Sequence, residues 1–186
     1  MNILLAFIPF IAFAILEGRL GIQSALLVAT IAAAALVARD WLFRRRSLKL
    51  LEVGSLLLFA TLALASHSPK FHPSILMVRL LVDSGLLLVV GSSVAAGRPF
   101  TLQYAKERVS DDVAVSAPFK RLNVILSLGW TIAFAVMVAS DFAMLYLKGF
   151  TPVFGAVVIL AAVAAAAVMT AWLPRTWPRQ TGNTAD

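Results

Sequence analysis

The chain predicts an all-α membrane protein, a polytopic bundle of about six transmembrane helices. Three observations carry that prediction. Of 186 residues, 61% are hydrophobic and only 13% are charged. The apolar residues fall in long blocks rather than in the interrupted pattern of a soluble core. The basic residues gather between alternate blocks, as orientation in a bilayer requires.

A helix needs about 20 apolar residues, each rising about 1.5 Å, to cross roughly 30 Å of hydrocarbon. The first block, residues 3–16, is only about 21 Å long on that rise and contains Pro9, so it either crosses thinly or re-enters. It does not fit a cleaved signal peptide, because no Lys or Arg precedes it and no small-x-small site follows before Glu17. Residues 21–43, 48–66, 74–96, 123–147 and 152–173 each pass the length test. Together these form one transmembrane domain over residues 1–174, with a short tail at 175–186.

With the N-terminus inside and six crossings, the inner connections hold Arg39, Arg44, Arg45, Arg46, Lys49, Arg98, Lys106, Arg108, Lys120, Arg121, Arg175 and Arg179. The outer ones hold Arg19, Lys70 and Lys148. That asymmetry places both termini in the cytoplasm. The net charge of +7 then belongs to anionic lipid rather than to nucleic acid. If the first block only dips into the membrane, the N-terminus changes side. Trp41, Trp172 and Trp177 fall at the inner interface and Tyr146 at the outer one.

Small residues repeat every four positions at Ala25, Ala29 and Ala33, and again at Ala161 with Ala165 and Ala162 with Ala166. Such stripes let backbones approach closely, although plain alanine filling of a membrane helix gives the same pattern. Gly54-Ser55 and Gly91-Ser92-Ser93 are small-residue packing positions in the same sense.

Arg79 and Asp83 lie in the middle of an otherwise apolar block. Ionisable groups there cost roughly 2.5–3.5 kcal/mol on insertion scales and face protein or a water-filled cavity. Arg79 and Asp141 come to the same depth on neighbouring helices, which predicts an ion pair with Asp83 one turn deeper. The cluster either fixes helix register or belongs to a proton or ion pathway. Glu52 follows Lys49 by three residues, close enough for local pairing. His67 and His72 flank an outer turn, but without a third ligand nearby they predict no metal site.

The connection at residues 98–121 reads as an interfacial segment. Gly97 suits a helix end and Pro99 a first helical turn. Phe100 and Tyr104 share a face, leaving Arg98, Lys106 and Arg108 for phosphates and Glu107 beside them. Lipid or partner docking by Arg98, Pro99, Phe100, Tyr104, Lys106, Glu107 and Arg108 is one expectation. A solvated charge run that obeys the orientation rule is the other.

No phosphate-binding loop, His-Glu-x-x-His or Gly-x-Ser-Gly occurs, so the sequence predicts no enzyme and no cofactor. The absence of cysteine excludes disulfides and thiolate metal sites.

Phe7-Ile8-Pro9-Phe10, Ala29-Thr30, His72-Pro73-Ser74, Arg98-Pro99, Lys106-Glu107 and Arg121-Leu122-Asn123 occur in an order that resembles the bacterial intracellular septation protein A family, as a distant branch. The resemblance spans most of the chain. It implies a non-enzymatic inner-membrane factor for septation or envelope maintenance, with lipid and division or envelope proteins as partners. A small ion- or proton-coupled transporter or channel using Arg79, Asp83 and Asp141, as a homo-oligomer, is the alternative the residues offer.

Overall fold

The computed structural model describes residues 3–43 and 49–177. Arg44, Arg45, Arg46 and Arg179, the expected helix start at Leu48, and the tail beyond Trp177 lie outside them. Among the described residues the chain is helical, without a strand. A 3-10 turn at Ile3–Phe7 leads into α1 (Ile8–Leu20), followed by α2 (Ile22–Ala38), which a π-helical turn extends over Arg39–Phe43. Next come α3 (Leu50–Ser66) and α4 (Ile75–Ala95), then the short α5 (Phe100–Ala105), a 3-10 turn at Lys106–Arg108, and α6 (Asp111–Val115). Two long helices, α7 (Ala117–Tyr146) and α8 (Pro152–Thr176), complete the bundle.

Among the described residues, four helical stretches are long and apolar enough to cross a bilayer: Ile22–Leu42, Ile75–Ala95, Ala117–Tyr146 and Pro152–Thr176. The α3 helix is shorter, about 25 Å at the helical rise. The first block differs from expectation, because helix continues through Glu17-Gly18-Arg19 to Leu20 before the chain turns at Gly21. Pro9 does not break it, since it occupies the first turn, where its missing N–H has no helical acceptor to serve. The α7 helix also starts earlier than expected, at Ala117, absorbing Lys120, Arg121 and Leu122.

Local chemistry accounts for several boundaries. Ser74 caps α4 by accepting from the Met77 N–H at 3.2 Å, and Thr151 caps α8 through Phe154 in the same way. At the end of α4, Gly97 takes φ +67°. This allows its own N–H to reach the Val94 carbonyl and the Arg98 N–H to reach the Ser93 carbonyl, each at 2.9 Å.

In packing order, α1 lies on α2, α2 on α3, α3 on α4, α4 on α7, and α7 on α8. Ala25, Ala29 and Ala33 are buried, so that stripe is a packing seam. On α8 only Ala166 of the second stripe is buried, whereas Ala161 and Ala165 are exposed. One core gathers Phe13, Phe59, Leu62 and Val78 around the α2 stripe. The other surrounds Trp130, which stacks on Phe7 with ring centroids 4.8 Å apart and donates to Thr170 Oγ1 at 2.9 Å. The outward surface is strongly apolar, with Ile31, Leu64, Leu88, Val153 and Leu160 all exposed. This suits hydrocarbon surroundings far better than water.

Helices α3 and α4 meet where Gly54 faces Val89. A methyl at Gly54 would come within 2.7 Å of Val89 Cγ2, and a β-branched neighbour has little freedom to yield. Gly54→Val is therefore expected to destabilise the bundle by about 1–3 kcal/mol, measured by unfolding in mixed micelles. An unchanged midpoint would rule out this close approach.

Candidate functional site

Tertiary contacts align the helix ends. Gln23 at the start of α2 donates to the Ser66 carbonyl at the end of α3, at 2.7 Å. Ser140, near the end of α7, donates to the Gly155 carbonyl of α8 at 3.2 Å. At the opposite end, Thr101 Oγ1 donates to the Asn123 carbonyl at 2.8 Å, joining α5 to α7. Each end holds a buried cluster of charge.

The basic end is built around Lys49, which is only 1% exposed. Its Nζ bonds Asp40, lies 2.9 Å from Glu107 and 3.8 Å from Glu52, and sits 5.2 Å above the Tyr104 ring. Arg39 Nε donates to Asp40 at 3.0 Å. Three carboxyls thus surround Lys49 at the amino end of α3, where the helix dipole favours negative charge. The α3 amide of Leu50 is capped from outside the helix, by Gln103 Oε1 at 2.8 Å.

Burial favours the neutral form of Lys49, but hydrogen bonds to Asp40 and Glu107 outweigh it and hold the amine above its ordinary value of 10.5. Burial also acts against the Glu107 charge, and hydrogen bonding and nearby positive charge, led by the bond from Lys49, outweigh it and hold that carboxyl below 4.5. The stabilisation from Glu107 is lost as pH falls through its lowered value, and that from Lys49 as pH rises through its raised one. Between 4.5 and 10.5 both stay charged. Burial, then the nearby Glu52 and Asp40, push the Tyr104 phenol up. Among the described residues, Tyr104 Oη and both Glu52 oxygens have no hydrogen-bond partner.

The opposite end is acidic. Arg79 donates to Glu17 through Nε at 2.6 Å and again through Nη2, both to the same oxygen, Oε1. Glu17 is buried, and its Oε2 has no hydrogen-bond partner among the described residues. Asp83 on α4 and Asp141 on α7 are close enough for their charges to interact directly, and both feel Arg79 and Glu17. Asp141 is fully buried, and neither of its oxygens has a hydrogen-bond partner of normal geometry among the described residues. From the ends of their helices, Arg79 lies about 6 Å in, Asp141 about 7.5 Å and Asp83 about 12 Å.

The structure thus brings Arg79, Asp83 and Asp141 into one neighbourhood, but Arg79 pairs with Glu17 rather than Asp141. The docking segment also changes meaning. Phe100 and Tyr104 do share a face, but that face is inside the protein: Pro99, Phe100 and Tyr104 are buried, and Glu107 serves Lys49. Arg98, Lys106 and Arg108 remain exposed. His67 and His72 are exposed, and no group of three potential metal ligands occurs among the described residues.

Glu17 and Asp40 carry no expectation from the sequence. Glu17 sits in a Glu-Gly-Arg run that resembles a connection, and Asp40 adjoins basic residues that resemble an orientation signal. The available signal was that each is an isolated acid at the edge of an apolar block. No family model, curated protein or solved structure matches this chain.

Proposed function

We propose that the protein forms a proton pathway across the bacterial inner membrane, with its basic end cytoplasmic and Glu17, Arg79, Asp83 and Asp141 as the proton-binding site. The observation that supports this reading is the charge imbalance at the acidic end, where three carboxyls meet one guanidinium. In apolar surroundings such an excess of carboxyls calls for protons or cations. Arg79 has 38% of its side chain exposed, so the cluster is not sealed from its surroundings. A proton arriving at Asp83 or Asp141 would neutralise one carboxylate and loosen the hold of the remainder on Arg79.

The septation or envelope role implied by the family resemblance has less support. Its docking surface keeps the cations Arg98, Lys106 and Arg108 but loses the apolar face of Phe100 and Tyr104 to the core.

Purified protein in liposomes carrying an internal pH dye should dissipate an imposed proton gradient. Asp141→Asn, which preserves shape and removes the titratable group, is expected to reduce that flux at least tenfold while leaving the micellar melting profile intact. A wild-type protein that passes no protons, or an Asp141→Asn protein that passes them unchanged, would overturn the proposal.

A further inference from the structure

At the basic end, an open groove of about 520 Å³ runs between the segment around α5, the start of α7 and the end of α8. It is separate from the proton site, and its chemistry has two parts. Leu122, Leu126, Ala167 and Ala171 give it an apolar wall, and Arg108 and Arg175 stand along its lining. The arginines come from different elements, one ending the 3-10 turn after α5 and the other in the last turn of α8.

Between these parts lies a buried acceptor, Asn123 Oδ1, that no donor reaches among the described residues. Asn123 is 1% exposed; its Nδ2 donates to the Phe119 carbonyl at 2.9 Å, while its Oδ1 has no partner among the described residues. Pro174, inside α8, supplies no amide hydrogen to the Thr170 carbonyl one turn earlier. Asn123, Thr170 and Pro174 all line the groove.

An occupant that combines negative charge beside the arginines, a hydroxyl donor for Asn123 Oδ1 and an apolar body along the wall matches all three features of this lining. We infer that this groove binds an anionic phospholipid with a hydroxylated headgroup, its phosphate between Arg108 and Arg175, its headgroup hydroxyl toward Asn123 Oδ1, and an acyl chain along Leu122 and Ala171. Guanidinium groups suit phosphate oxygens through paired N–H donors. The site opens at the membrane end where the basic connections already favour anionic lipid.

The test uses the full-length protein in mild detergent, titrated with phosphatidylglycerol or phosphatidylcholine of matched acyl chains, with retained lipid counted by native mass spectrometry. Wild-type protein should retain phosphatidylglycerol at least tenfold more tightly. Arg108→Gln with Arg175→Gln should abolish that preference, and Ala171→Trp, which fills the apolar wall and leaves both arginines, should displace the lipid. Should the double variant fail to fold, Arg175→Gln alone, at an exposed position, should lower the preference at least threefold. Equal retention of the two lipids by the wild type, undiminished preference in the arginine variants, or lipid still held by Ala171→Trp would each overturn the assignment. Competition by inorganic phosphate as strong as that by phosphatidylglycerol would also overturn it, because the acyl contacts would then contribute nothing.

Discussion

Replacing Lys49 with methionine is expected to destabilise the bundle by about 3–5 kcal/mol, the usual consequence of deleting one partner from a buried ionic group. The side chain volumes are similar, so packing changes little and the lost charge dominates. Lys49 holds Asp40 and Glu107 directly and lies 3.8 Å from Glu52. Without it, three carboxyls from three segments crowd together with the Arg39 guanidinium on Asp40. The cost should appear as an early unfolding midpoint in mixed micelles at neutral pH. Adding Glu107→Gln to Lys49→Met should recover at least about 1 kcal/mol, because one of the crowded carboxylates is then gone. A single-variant loss below about 1 kcal/mol is the magnitude of a solvated surface pair, and would mean that Lys49 reaches water.

This cluster shows where sequence reasoning reaches and where it stops. Apolar length alone was enough to locate the long helices, because a bilayer demands uninterrupted hydrophobicity whatever the partners. The end of α4 was equally legible, since Gly97 has the one side chain that accepts its φ of +67° without strain. Pairing between helices was not legible in the same way. Depth can be counted along a helix, but the azimuth of each charge depends on which helices become neighbours. Arg79 and Asp141 do reach similar depth, yet Glu17 comes from α1, whose continuation past Leu16 was hidden by a charged run.

The aromatic face of the segment after α4 was hard to read for a different reason. A shared face for Phe100 and Tyr104 follows from helical spacing, but spacing does not say whether lipid or protein covers that face. In a membrane protein both are apolar. The deciding contacts lie far along the chain, in the hydrogen bonds from Thr101 to Asn123 and from the Leu50 amide to Gln103. Once those form, α5 is drawn against α7, and its aromatic face becomes core.

The partner of Arg79 can be decided by a double-mutant cycle, and the expected energies are large. Arg79→Met should cost about 2–3 kcal/mol, below the full range for buried pairs because 38% of the Arg79 side chain is exposed. It leaves Glu17, 3% exposed, with neither of its guanidinium hydrogen bonds. Glu17→Met should cost less, since Arg79 can turn toward water or toward the neighbouring carboxyls. The combined Glu17→Met/Arg79→Met protein should be at least about 1 kcal/mol more stable than the sum of the single changes predicts, as groups in direct contact are not additive. Arg79→Met with Asp141→Asn supplies the contrast: relief should be smaller there, because the guanidinium bonds Glu17 and reaches Asp141 only through the field. Equilibrium unfolding of all five variants in one micelle composition measures both couplings. Should the Asp141 coupling exceed that of Glu17, Arg79 belongs to α7 rather than α1, and the first helix loses its charged tie to the bundle.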